Sequence, residues 1–301
     1  MNCAAAPEEI QGILEFVRTA RGFDPAGYCP GVLATRVQSR LAATGLASAA
    51  EYRRLLSSSP AEVDLLVASL TIKYSIFFRD PLAFDYLGES LLPTLLAEKA
   101  AAGGGGLRLW SAGCAHGEEP YSLAILLHEL ARYHPAAANA ILFATDRDEQ
   151  ALAQARAARY QAVSLANVRH GLLAVAFAPE GDTFRVLPAI ASRVRFSVHD
   201  LLDHRSAAPA ESVFGSFDLI LCRNVLIYFE PDYQSFICEQ LYRALAEGGC
   251  LLLGRTESLA APWSRRFHRV TDCCALYRKP RRPLADAADL EKGFSPNAGV
   301  E

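Results

Sequence analysis

A doubly wound, mostly parallel α/β sheet joined to a small all-helical module is the architecture this sequence predicts, on three observations. From about Pro7 to Ile76 apolar residues recur at helical spacing. After Gly103–Gly106 the pattern changes to short apolar runs: Leu107–Ser111, Ile141–Thr145, Val194–Val198, Phe217–Cys222 and Cys250–Gly254. Helical segments, Glu118–Tyr133, Asp148–Arg159 and Pro231–Glu247, separate several of these runs, the alternation that builds a parallel sheet with helices on its faces.

In chain order, Ile10, Ile13, Leu14 and Val17 share one face of a first helix, which Gly22–Pro25 breaks. Leu33, Val37 and Leu41 form a second stripe with Gly45 as its stop. Ser48 precedes a third run through Tyr52, Leu55 and Leu56, and Ser59-Pro60 opens a fourth with Val63, Leu66, Val67 and Leu70. Asp80-Pro81 starts a further helix towards Ala100, and the glycines that follow make a flexible joint. The helical domain is therefore expected over residues 1–76, a linker helix and joint over 77–106, and the sheet domain over 107–279. Between Tyr160 and Arg193 the connection is too long for a simple helix-to-strand loop. Its turn signal Pro179–Asp182 and the strand-like Phe184–Val186 predict a small antiparallel insertion over about 160–193. Residues 280–301 are polar with prolines and read as a mobile tail.

Composition excludes several functions. Hydrophobic residues are 51% of the chain, enough for a sizeable core. Thirty Lys and Arg against 33 Asp and Glu give a net charge of −3, which argues against coating nucleic acid by bulk charge. Charges break every apolar stretch well before ~18 residues, so no membrane insertion is expected. The start MNCAAAPEEI has no basic region, so a secretory signal is not expected either. The eight cysteines form no C-x-x-C pair and read as reduced thiols of a cytoplasmic protein packed as small hydrophobes, with no metal site.

Four segments carry chemistry. Trp110–Ser122 follows the first strand and opens a helix, with Gly113 and Gly117 at G-x-x-x-G spacing and Glu118-Glu119-Pro120 in the first turn. Glycines there let a ligand approach the backbone at the sheet edge where open α/β folds bind nucleotides. The spacing is neither the dinucleotide fingerprint nor a P-loop. Asp146 ends the second strand and can accept both hydroxyls of a ribose, while Asp148 suits the next helix N-cap. Arg223 and Asn224 leave a buried strand at the same edge, although Asn224 could equally cap a turn. Phe77-Phe78-Arg79-Asp80 stands at the domain junction and reads equally as a packed linker with a surface charge.

Together, Phe-Phe-Arg-Asp, Gly-Cys-Ala-x-Gly-Glu-Glu-Pro-Tyr-Ser, Ala-Thr-Asp and Cys-Arg-Asn-Val-Leu-Ile-Tyr-Phe resemble the chemotaxis receptor methyltransferases of the CheR type, in order and spacing from about Phe16 to Lys279. Gly254–Leu259 is similar to that family's Gly-x-Ser-Glu-Ser-Leu segment. The resemblance implies S-adenosylmethionine as cofactor and glutamate side chains of chemoreceptors as methyl acceptors, giving methyl esters. It implies Ser75, Arg79, Gly113, Glu118, Asp146, Asp200, Leu201, Arg223 and Asn224 around the cofactor, with Arg79 and Tyr228 placing the substrate. Arg36 and Arg40, one turn apart on a helix, are candidates for reading a glutamate-rich receptor helix, or plain surface charge. The short insertion turn, with one glycine and Pro179, implies an enzyme that uses no C-terminal pentapeptide tether. Lys73 and Asp200 stand where the family usually has Asn. Lys73 keeps open a second reading, a sensor or scaffold that holds the cofactor without turnover. Methylation of nucleic acid ranks low because Arg223–Leu226 replaces the Asn/Asp-Pro-Pro-Tyr string of such enzymes.

Overall fold

The structure is a computed structural model that describes residues 5–70, 75–212 and 216–281. Lys73, Cys3 and the expected tail from Arg282 onwards lie outside the described residues. Four helices form the N-terminal module: α1 (Pro7–Arg21), α2 (Pro30–Thr44), α3 (Ala49–Ser58) and α4 (Pro60–Leu70). Their ends follow local chemistry. Pro7 and Pro30 open two of them, Ser48 accepts the Glu51 N–H at 3.2 Å, and Gly22 and Gly45 end helices at positive φ.

The junction helix comes in three pieces rather than the single run expected. α5 (Pro81–Tyr86) passes through a π turn (Leu87–Leu91) into α6 (Leu92–Ala101). Pro93 has no N–H to donate, and the hydrogen-bond ladder widens just ahead of it.

The second unit runs β1 (Arg108–Ala112), α7 (Glu118–Leu130), β2 (Ile141–Asp146), α8 (Glu149–Ala157), β3 (Arg159–Gln161), α9 (His170–Ala176), β4 (Phe177–Glu180), β5 (Thr183–Val186), α10 (Pro188–Ala191) and β6 (Val194–Val198). It continues with β7 (Phe217–Cys222), α11 (Pro231–Ala244), β8 (Leu245–Leu253), α12 (Trp263–Arg266), β9 (His268–Arg269) and β10 (Leu276–Arg278). The seven-stranded sheet has the order β6-β2-β1-β7-β8-β10-β9. Its first five strands are parallel, and β10 and β9 close it antiparallel. β8 starts five residues before the apolar run that predicts it, because Leu245 already pairs with Phe217 across a register shift.

Side chains alternate across this sheet. Trp110, Phe143, Ile220 and Leu251 pack with α11 and the helical module, and Leu109, Leu142, Leu219 and Leu252 pack with α6 and α7. Both faces are therefore covered, which is why these strands read as continuous apolar runs. The insertion is a three-stranded antiparallel sheet, β3-β5-β4, one strand more than the hairpin expected. Tyr160 and Phe177, from its two outer strands, hold Phe77 edge-on at 4.8 and 4.9 Å. The helical module joins the sheet domain through backbone: the Cys29 N–H donates to Tyr228 O and the Glu230 N–H to Gly27 O, each at 2.8 Å. No described helix is long and apolar enough to cross a membrane.

Candidate active site

The parallel order places β1 between β2 and β7, so connections leave its two sides in opposite directions. Ligands of open α/β sheets sit outside the carboxyl ends of the strands at such a point. The loops after β1, β2, β6 and β7 converge here on two cavities that share Gly113, Ala115, Asn224 and Tyr228, forming one cleft with two ends.

One end is walled by Asp146, Arg147, His199, Asp200 and Leu201. The Asp146 carboxylate is aimed by backbone: it accepts the Ala115 N–H and the Asp148 N–H, both at 2.9 Å. Asp148 caps α8 as its sequence position predicts, accepting from Gln150 and Ala151. Asp200 accepts the Leu202 N–H at 3.0 Å. His199 lies against Trp110, and burial pushes its pKa down, so the ring is neutral. Both motif glycines are required. A Cβ on Gly113, at φ +76°, would come within 2.6 Å of Val225, and one on Gly117 within 2.9 Å of Ala155.

The other end is lined by Ser75, Arg79, Glu119, Arg223, Asn224 and Tyr228. Arg223 is buried and binds the wall together. Its Nη2 donates to Arg79 O at 2.6 Å, its Nη1 donates to Glu119 at 3.2 Å, and it lies over the Phe84 ring. The junction is pinned from behind, since the Phe78 N–H donates to Ser122 Oγ at 2.9 Å. Four of the five described non-glycine residues with positive φ stand in these loops: Phe78, Asp80, Ala115 and Asn224. Backbone held this way costs energy and persists only where neighbours enforce it.

Glu257 is the enforcing group at Asn224. Buried, it accepts N–H bonds from Asn224 and Gly254 at 2.7 Å and from Ile227 at 3.2 Å. Its motif is visible in the sequence, but its role is not, because all three donors depend on where β7 and β8 end.

Two expected residues sit elsewhere. Glu119, not Glu118, lines the cleft, with Ser111 donating to it at 2.8 Å. Glu118 lines neither cavity but sits directly behind one wall: it is 3% exposed, hydrogen-bonded to the lining residue Ser75, and its Oε2 has no partner. Burial pushes its pKa up to about 7. Consecutive helical residues lie ~100° apart, so adjacent carboxylates cannot share one face. Arg40 is likewise turned inward: its guanidinium grips Glu62 at two contacts of 2.7 Å, and Tyr52 donates to the same carboxylate at 2.9 Å. Arg36 takes no part in that cluster. Tyr28, Arg147, His199 and Glu119 line the cleft without having been singled out by the sequence.

The residues present fit S-adenosylmethionine. Asp146 offers carboxylate acceptors of the kind a ribose needs, and Asp200 and Leu201 line the same cavity with a polar and an apolar side chain. Glu119, whose pKa burial raises against the pull of Arg223, offers a carboxyl in the wall of the other cavity. The glycine cradle at Gly113 admits a ligand against backbone. Among the described residues no cluster suited to a metal ion exists.

Residues 8–71 match the model of the CheR methyltransferase all-alpha domain, and residues 73–272 match that of the CheR methyltransferase S-adenosylmethionine-binding domain. The chemotaxis protein methyltransferase of Listeria monocytogenes is 31% identical across 85% of this chain and 93% of its own length. Chemotaxis protein methyltransferase 1 of Pseudomonas aeruginosa is 31% identical across 76% and 82%. A 104.1 kDa protein from the hypE 3′ region of Rhodobacter capsulatus is 31% identical across 96% of this chain, which spans about a third (32%) of that longer relative. With the two domain models matched in succession over residues 8–71 and 73–272, this chain belongs to the CheR methyltransferase family, whose cofactor is S-adenosylmethionine.

Proposed function

We propose that the chain methylates glutamate side-chain carboxylates of chemoreceptors in chemotaxis. The observation that carries this reading is the cationic mouth of the cleft. Arg79 from the junction and Arg36 from α2 both act on the half-buried Tyr228 hydroxyl, whose pKa burial raises while the two guanidinium groups pull it down. An anionic nucleophile is drawn to such a mouth; an ammonium group is repelled by it.

The chemistry asks little of the protein. When bound, the cofactor supplies an electrophilic methyl group on a sulfonium that is already a good leaving group. A glutamate with an ordinary pKa of about 4.3 is ionised at neutral pH, so no general base is needed. What remains is orientation and the exclusion of water. Arg79 and Tyr228 are assigned to holding the carboxylate in line, and Ser75, Arg79, Gly113, Glu119, Asp146, Asp200, Leu201, Arg223 and Asn224 to the cofactor. Glu118 is left out of that set because it lines neither cavity. Arg36, rather than the internally paired Arg40, is assigned to the acidic substrate helix.

The chain is proposed to work without a receptor tether. Strand addition needs an edge with free donors; of the two outer strands, β4 carries Pro179, which has none, and β3 is only three residues long. The receptor substrate places the reaction in the cytoplasm. Incubation with methyl-labelled S-adenosylmethionine and receptor cytoplasmic fragments tests the reading. Label that mild alkali releases as methanol is the expected result, and alkali-stable label overturns ester formation. Labelling that requires the receptor's C-terminal pentapeptide overturns tether independence.

A further inference from the structure

One wall of the cofactor end does not belong to the sheet domain. Tyr28 and Leu70, both from the helical module, line the same cavity as Asp146 and Asp200. Tyr28 is 7% exposed, its ring lies 4.9 Å from Phe229, and its backbone bridges to Phe229. The residue that grips it is Arg147, immediately after Asp146. Arg147 Nη1 donates to the Tyr28 hydroxyl at 2.6 Å, and its guanidinium lies 5.1 Å from the Phe23 ring and 5.7 Å from the Tyr28 ring.

We propose that Arg147 is a positioning residue that acts through Tyr28, holding the helical module shut against the cofactor pocket, so that cofactor binding and module docking favour each other. The argument rests on where the contact sits. Asp146 is fixed by two backbone N–H groups, so the turn that carries Arg147 is rigid. From that turn Arg147 reaches 119 residues back along the chain to a side chain that is itself a pocket wall. If the module tilts away, Tyr28 and Leu70 leave the pocket together, and its cofactor end loses a side. A bound cofactor bridges the same two units, so each closure pre-organises the other. A guanidinium is suited to this role because it stacks on two rings while donating in its own plane. The proposal rests on the cleft being the S-adenosylmethionine site.

The test is a double-mutant cycle on the full chain with S-adenosylhomocysteine as the titrated ligand. Arg147→Ala is expected to weaken binding about tenfold and Tyr28→Phe three- to fivefold, with the double variant no weaker than Arg147→Ala alone. Arg147→Lys, which keeps a cation over the rings, should recover most of the loss. Trypsin cleavage within the helical module should slow at least fivefold when the ligand saturates the unaltered protein, and should not slow in Arg147→Ala. Additive losses in the cycle would show that Arg147 touches the ligand directly and overturn the proposal. Equal ligand protection in both proteins would overturn it too. Failure of the unaltered chain to bind the ligand overturns the cofactor reading and this proposal together, whereas normal binding by Arg147→Ala overturns this proposal alone.

Discussion

The two ends of the cleft are built on different physics. At the Asp146 end, strand ends deliver the side chains, and backbone N–H groups aim them, two residues on for Asp146 and Asp200 and from the neighbouring β1 loop, at Ala115, for Asp146 again. At the Tyr228 end, the loops carry short turn bonds, Tyr228 N–H to Val225 O at 3.2 Å and Arg79 N–H to Ile76 O at 3.3 Å, but longer-range contacts assemble them into one wall. They are held by two buried charges, Arg223 reaching the junction 144 residues away and Glu257 collecting three N–H groups from two loops. The first end is robust because its geometry comes with the sheet. The second depends on the two buried charges, because they tie together loops that their own turn bonds hold only one by one.

The sharpest way to break the comparison is Glu257→Ala. It leaves three N–H groups unpaired, each having bonded to a carboxylate, and a loss of about 3–5 kcal/mol is expected in urea unfolding. Transfer should fall in parallel as Asn224 leaves its positive-φ conformation. A loss under 1 kcal/mol would mean the β7 loop holds itself.

How far each end could be read from sequence follows the same division. Asp146, its strand and the Asp148 cap are local features, legible from an apolar run that ends in an acidic residue before a helix. The choice between Glu118 and Glu119 was not legible, because it depends on the phase at which α7 leaves the Gly117 turn, and one residue of phase turns the side chain by ~100°. Arg40 misled for a related reason. Its spacing from Arg36 is right for a shared face, but Glu62 comes from another helix and captures it. Arg147 and Tyr28 carry no local signal at all, since their partnership exists only after the two units dock.

Glu118 sharpens the contrast further. Its folded pKa is about 7 against an ordinary 4.5, so the folded state holds its proton where the unfolded state has released it. Stability from this group is fully present below about pH 4.5 and is lost as pH rises to about 7, because the unfolded chain binds fewer protons across that window. The shift corresponds to about 3 kcal/mol. Glu118→Gln keeps an acceptor for Ser75 and removes the charge. The variant should therefore match the unaltered protein at pH 4 and be more stable than it at pH 8 by up to about 3 kcal/mol. Parallel stability curves for the two proteins would show that Glu118 titrates normally.

Asp146→Asn probes the robust end. Replacing one carboxylate oxygen by a donor opposes a ribose hydroxyl and one of the two backbone N–H groups, so cofactor affinity should fall by about 1–2 kcal/mol. Unfolding free energy should move less than affinity does, since the strand and the α8 cap remain. Calorimetric titration with S-adenosylhomocysteine beside urea unfolding measures both. An affinity that does not change would remove Asp146 from the cofactor wall.

The smallest effect belongs to Arg36, which acts at the surface. Its influence on Tyr228 is electrostatic and reaches the mouth of the cleft from α2, outside the cavity lined by Asp146 and Asp200. Arg36→Glu should raise the KM for a glutamate-rich receptor fragment three- to tenfold while leaving kcat and cofactor affinity unchanged, because a charge at the mouth steers encounter more than it shapes the aligned complex. The difference should shrink between 50 and 300 mM salt as the Debye length contracts. Arg40→Glu is the control that separates steering from folding. It breaks the Glu62 ion pair and leaves like charges facing each other in a partly buried site, so it should lower stability without a salt-dependent change in KM. If both variants instead raise KM equally and with the same salt dependence, the inward placement of Arg40 does not limit its role, and the two arginines read the substrate together.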